Sequence, residues 1–88
     1  MNKYKIKIKN NLRDKLGSYL GDANIDTGVI RINKKHRDHK DKAELASTIK
    51  HEIMHIQHPK MHEKTIYKKT AKSKISQDEK LKLLKKLL

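Results

Sequence analysis

The sequence predicts an α+β fold, a small sheet carrying three or four helices. Three observations predict it. Residues 4 to 9, YKIKIK, alternate apolar and charged with period two, which reads as a half-buried strand. Val29 to Asn33, VIRIN, is rich in β-branched residues and reads as a second strand. Leu45, Ile49, Ile53 and Ile56 recur at helical spacing, with Ala46 and Met54 beside the stripe.

The elements follow in order. After the first strand, Asn10 or Asn11 can cap a helix through about Leu20, with Leu12, Leu16, Tyr19 and Leu20 on one face. Gly17 weakens that helix, and Gly21 is a good stop. Ile25 closes a short strand before the turn residues Asp26, Thr27 and Gly28. Residues 34 to 41, KKHRDHKD, read as a polar loop whose His36 and His39 are surface residues. A helix beginning at Asp41 or Lys42 runs to about His58, where Pro59 stops it. Pro59 can itself open the next helix, to about Lys72. Ser76 and Glu79 form a capping box for a last helix with Leu81, Leu84, Leu87 and Leu88 on one side.

Composition bounds the rest. A chain of 88 residues has room for one core, and 34% hydrophobic residues with no Phe or Trp make that core thin. A small domain of this kind needs a staple. With no Cys the staple is a metal or a second subunit. No run approaches the roughly 20 apolar residues of a membrane span, and no signal-like stretch opens the chain. The expectation is a soluble, cytoplasmic protein. The net charge of +13 attracts polyanions, so non-specific nucleic-acid binding is a possible second property. The lysines are spread along the whole chain, however, and stacking aromatics are nearly absent, unlike a specific reader.

The chemistry sits in HEIMHIQHPKMHE, residues 51 to 63. His51 and His55 are i and i+4 on one helix, about 5–6 Å apart, so both imidazoles can reach one ion. Glu52 is one step round the helix, placed to accept a proton from water held at that ion. The bland alternative is a solvated polar helix face. Against it, the motif lies in the middle of an amphipathic helix, a strand precedes it, and another histidine follows shortly after a break in the helix. A catalytic zinc takes three protein ligands and keeps one position open. The third must arrive from another direction. His62, beyond Pro59, is the first choice, Glu63 the second and His58 the third. Asp78 and Glu79 are remote options, and His58 also suits capping or outer support of a ligand.

The order of a helix at 10 to 20, the strand Gly28 to Asn33, a helix with HEIMH at 51 to 55 and then HPKMHEKT resembles the minigluzincins, very small zinc metallopeptidases. The resemblance covers most of residues 20 to 72 and is strongest over 48 to 65. It implies a backing helix, a small twisted sheet, an active-site helix and a helix supplying the third ligand. Gluzincins generally use glutamate at that position and minigluzincins histidine, which agrees with His62. It also implies latency through the C-terminal segment.

The function expected is therefore peptide hydrolysis, with Zn²⁺ held by His51, His55 and His62 and Glu52 as general base. Val29 to Asn33, taken as an edge strand with Arg31 outward, would pair with an extended peptide. The chain divides into a catalytic unit, 1 to 75, and an amphipathic C-terminal helix, 76 to 88. That helix could dock on the core, lie on a membrane surface, plug the cleft, or exchange between two subunits to give a homodimer. The alternative function is a zinc-stabilised, non-enzymatic basic module on nucleic acid, and a DNA-associated protease would combine the two.

Overall fold

The computed structural model describes residues 3 to 9, 12 to 15 and 17 to 87. The strands are β1 (Lys5–Lys9), β2 (Arg13–Asp14), β3 (Gly17–Ser18), β4 (Gly21–Asn24) and β5 (Val29–Asn33). The helices are α1 (Lys42–Gln57), α2 (Glu63–Thr70) and α3 (Gln77–Lys85), with 3-10 turns at Arg37–Lys40 and Lys72–Lys74. The α+β class is therefore present, with a three-stranded sheet and three α-helices.

Strand β5 is the centre of that sheet, parallel to β1 on one side and antiparallel to β4 on the other. This corrects its assignment as an edge. Its main-chain groups are engaged by both neighbours, so it cannot receive a peptide by strand addition. Ile30 and Ile32 are fully buried under α1, and Arg31 points to the opposite face, as period two requires. The turn into β5 is built by Asn24, whose Oδ1 accepts the N–H groups of Asp26 (3.0 Å) and Thr27 (3.2 Å). Gly28 then adopts φ +72°, and a Cβ there would lie 2.6 Å from the Lys3 carbonyl oxygen. Ile25 lies in this turn and not in a strand.

The helix expected over residues 10 to 20 is replaced by a two-stranded ribbon, β2 with β3. Gly17 takes φ +116°, outside any helix, and the Tyr19 N–H reaches back across the ribbon to the Leu12 carbonyl at 3.0 Å. Leu12, just before β2, is buried. The Asn10 or Asn11 cap and Leu16 lie outside the described residues.

Helix α1 follows its predicted bounds. Asp41 caps it, accepting the Ala43 N–H at 2.9 Å, and His58 closes it before Pro59. Leu45, Ala46, Ile49, Ile53 and Ile56 form one core with Ile30 and Ile32. Helix α3 completes this core. Ser76 accepts the Glu79 N–H at 3.2 Å, as the capping signal indicates, while the Glu79 side chain pairs with Lys50 at 2.6 Å. Leu83 is buried, with Leu84 and Leu87 packed beside it, whereas Leu81 is half exposed. The C-terminal helix is thus part of the core through Leu83, Leu84 and Leu87. Leu88 lies outside the described residues. No helix among the described residues is long and apolar enough to cross a membrane.

Candidate metal centre

The side of α1 facing away from the core carries Ser47, Thr48, His51, Glu52 and His55, and these line one wall of an open cleft of about 800 Å³. Strand β4 forms the second wall, with Gly21, Asp22 and Ala23, and α2 forms the third, with Glu63, Tyr67 and Thr70. Gly21 allows β4 to approach α1: a Cβ there would lie 3.5 Å from Thr48 Cγ2 and 2.7 Å from the Arg31 carbonyl oxygen. No residue of α3 lines the cleft.

His51 and His55, one turn apart, bring their Nε2 atoms to 3.1 Å. The carboxylate of Glu63 closes the triangle, with Oε1 2.7 Å from His51 Nε2 and Oε2 3.0 Å from His55 Nε2. A tetrahedral zinc with ligand bonds near 2.0–2.1 Å separates its donors by about 3.3 Å. The three donors therefore fit such an ion after parting by a few tenths of an ångström. His51, Glu52 and His55 also bring one donor atom each to within 4.8 Å of one another.

His62, the first choice for third ligand, is placed elsewhere. It is the exposed N-cap of α2, and its Nδ1 accepts the Lys64 N–H at 3.2 Å. The reason is where α2 begins. The chain turns over residues 58 to 62 and enters the helix at Glu63, not at Pro59. Glu63, Ile66, Tyr67 and Thr70 then share a face at spacings of three and four. Ile66 is fully buried, Thr70 nearly so, and the Ser47 hydroxyl donates to the Thr70 carbonyl at 2.6 Å, fastening α2 to α1. Anchoring that face aims Glu63 at the histidines and turns His62 to solvent. The signal was legible in the spacing of Ile66 and Thr70 relative to Glu63. His58 is the exposed C-cap of α1, and Asp78 and Glu79 belong to α3, outside the cleft.

Glu52 is only 5% exposed, and its carboxyl is pushed up to about 7 by burial first, then by the negative charges of Asp22 and Glu63. His51 is lowered from the ordinary histidine value, chiefly by burial and also by the nearby His55, against the pull of Glu63. A lowered value favours the neutral imidazole that binds metal. Asp22 is itself held low by Arg31, which donates through Nε at 2.8 Å and through Nη2; the Tyr19 hydroxyl joins the pair at 3.2 Å.

The loop histidines are not the surface residues expected. His36 lines the far end of the cleft, and its Nδ1 accepts the Asp38 N–H at 3.2 Å. His39 is 6% exposed, with Nδ1 2.6 Å from the Asn33 carbonyl and Nε2 2.9 Å from the Thr48 hydroxyl. It ties the 3-10 turn to both β5 and α1. A charged stretch gives no periodic sign of one inward side chain, which is why this residue escapes sequence reading.

Comparison of the chain with protein-family models, with characterised proteins and with solved structures finds no match.

Proposed function

We propose that this chain is a zinc-dependent peptidase of the HExxH type, with His51, His55 and Glu63 as the metal ligands and Glu52 as general acid and base. The observation that carries the reading is the convergence of three donors from two helices beside a buried carboxyl, on the wall of an open cleft. The wider gluzincin resemblance, with glutamate as third ligand, suits this set better than the three-histidine minigluzincin form.

A bound zinc supplies Lewis acidity, polarising the substrate carbonyl and making water acidic enough to attack near neutral pH. Glu52 accepts the proton of the attacking water and delivers it to the leaving amine. Burial and the charges of Asp22 and Glu63 together leave its carboxyl half protonated near pH 7; a cation beside it restores the carboxylate that the first step needs. Strand β4 takes over the role first given to β5. It pairs only with β5 among the described residues and borders the cleft, so an extended peptide can add to its open edge. Latency through α3 finds no support, because that helix is committed to the core.

The non-enzymatic, zinc-stabilised reading is less well supported. A structural zinc is closed by four protein ligands and has no use for a buried carboxyl beside it. The deciding experiment incubates zinc-loaded full-length protein with an unfolded protein substrate. Cleavage that is lost on chelation and in Glu52→Gln, with zinc retained in that variant, is the expected result. Equal cleavage by Glu52→Gln would remove the peptidase assignment, whereas salt-sensitive DNA binding without cleavage would favour the basic module.

A further inference from the structure

Charge is unevenly divided over this fold. Five of the chain's ten acidic residues, Asp22, Asp38, Glu44, Glu52 and Glu63, line the cleft, and of its 23 Lys and Arg residues only Lys72 does so among the described residues. The excess positive charge therefore lies on other surfaces. One ordered array of it is on the sheet. Helix α1 covers one face of the sheet through Ile30 and Ile32, and Ile6 of β1 packs against the same core. Lys5, Lys7 and Lys9 alternate with Ile6 and project from the opposite face, and all three are exposed. The register sets Arg31 of β5 beside Lys7 on that face. Lys3 and Lys34, also exposed, stand at the two ends of β1.

This row is uncommitted. Asp22, opposite Arg31 in β4, is neutralised by it, and among the described residues no ion pair engages Lys5, Lys7 or Lys9. Lysine on an edge strand guards against pairing with other chains. That role needs neither three in line nor an arginine alongside. A strand rise of about 3.3 Å per residue makes the row about 13 Å long from Lys5 to Lys9. A DNA duplex carries one charge per about 1.7 Å of axis, so about eight phosphates occupy that length. A single strand carries half that density and is held by stacking on aromatic rings. This face supplies no such ring: Tyr4 packs against the core, Tyr19 is joined to Asp22 and Arg31, and Tyr67 borders the cleft. Duplex RNA is recognised through its 2′-hydroxyls as well as its phosphates, whereas a lysine row addresses phosphates alone.

We infer that the open face of the sheet, through Lys5, Lys7 and Lys9, binds the phosphate backbone of double-stranded DNA without reading its sequence. None of the three lysines lines the cleft, so a bound duplex leaves the proposed metal site accessible. The inference does not rest on the peptidase reading and stands or falls apart from it.

Fluorescence anisotropy of a short labelled DNA duplex, titrated with full-length protein at several salt concentrations, tests it. Wild-type affinity should fall by about 10²-fold between roughly 50 and 200 mM salt, the loss expected for about four phosphate contacts. Replacing Lys5, Lys7 and Lys9 together by Gln should weaken binding at low salt by at least about tenfold and flatten the log–log salt slope by about 3, close to one for each lysine. Lys7→Gln alone should flatten it by about 0.9 and gives the same reading should the triple variant not fold. The control removes three exposed lysines of α2, Lys64, Lys68 and Lys69, again as Gln, and so lowers net charge equally. It should keep most of the affinity. An equal loss in the control would overturn the inference, because binding would then follow net charge and not this face. No duplex binding at low salt would overturn it too, as would binding confined to phosphatidylserine vesicles or to single-stranded DNA.

Discussion

Replacing Glu52 by Gln should stabilise the metal-free protein, and more so as pH rises. The carboxyl is buried among groups that disfavour its charge, so its pKa stands at about 7 in the folded chain against an ordinary 4.5. Below pH 4.5 it is protonated in both folded and unfolded states and contributes nothing to the pH dependence. Between 4.5 and about 7 the unfolded chain releases the proton while the folded chain retains it, so stability falls with rising pH. Above about 7 both states are ionised and the loss is complete. The gap between the two values corresponds to about 3 kcal/mol. Because the side chain is 5% exposed, little of this is screened by solvent. The amide variant never ionises and escapes the loss. Urea unfolding in the presence of a chelator measures it: with a slope of about 1.5 kcal/mol/M, the variant's midpoint should gain on wild type by on the order of 2 M between pH 4 and pH 8. Zinc should shrink that gain, since a neighbouring cation favours the carboxylate. A stability difference that does not change with pH would refute the burial argument.

Further perturbations test other joints of the fold. His39→Ala leaves the Asn33 carbonyl and the Thr48 hydroxyl without their buried partner and should cost about 1–3 kcal/mol at pH 8 by chemical denaturation. Because burial holds the folded His39 below the ordinary 6.5, its contribution is present above that value and fades as pH falls, so the cost should be smaller at pH 5. Leu83→Ala should lose about 2–3 kcal/mol, and truncation after Ile75 should unfold the chain without releasing activity; a stable, activated truncation would restore the plug. Gly21→Ala drives a Cβ into the β5 backbone and should cost about 1–3 kcal/mol in thermal or urea unfolding, because β4 must move away.

Much of this architecture was legible because local signals and burial agreed. The alternation of Ile and Lys in β1, the β-branched run of β5, the Asp41 cap and the Ser76 cap each combine a pattern with a boundary residue. The errors share a cause, which is dependence on contacts distant in the chain. Residues 12 to 20 have leucines at helical spacing, but Gly17 adopts a positive φ and the Tyr19 N–H pairs with the Leu12 carbonyl, which a helix does not allow. Whether β5 was edge or centre depended on which strands came to flank it, which period two does not encode. In the site, His51, Glu52 and His55 followed from one helix and one spacing. The third donor did not, because Pro59 can stop one helix without starting the next. A helix start at residue 59 or at 63 rotates a different side chain toward α1, and the buried pair Ile66 and Thr70 decides for Glu63.

The central claim is the identity of the third ligand, and zinc stoichiometry tests it most directly. Metal content of the dialysed full-length protein should be about one zinc per chain, retained in His62→Ala, which loses only a helix cap worth about 1 kcal/mol. Glu63→Ala should lose the zinc while the chain stays folded, since that side chain is half exposed and bears no part of the core. Zinc lost in His62→Ala and kept in Glu63→Ala would contradict the account, and so would a wild-type protein that binds none.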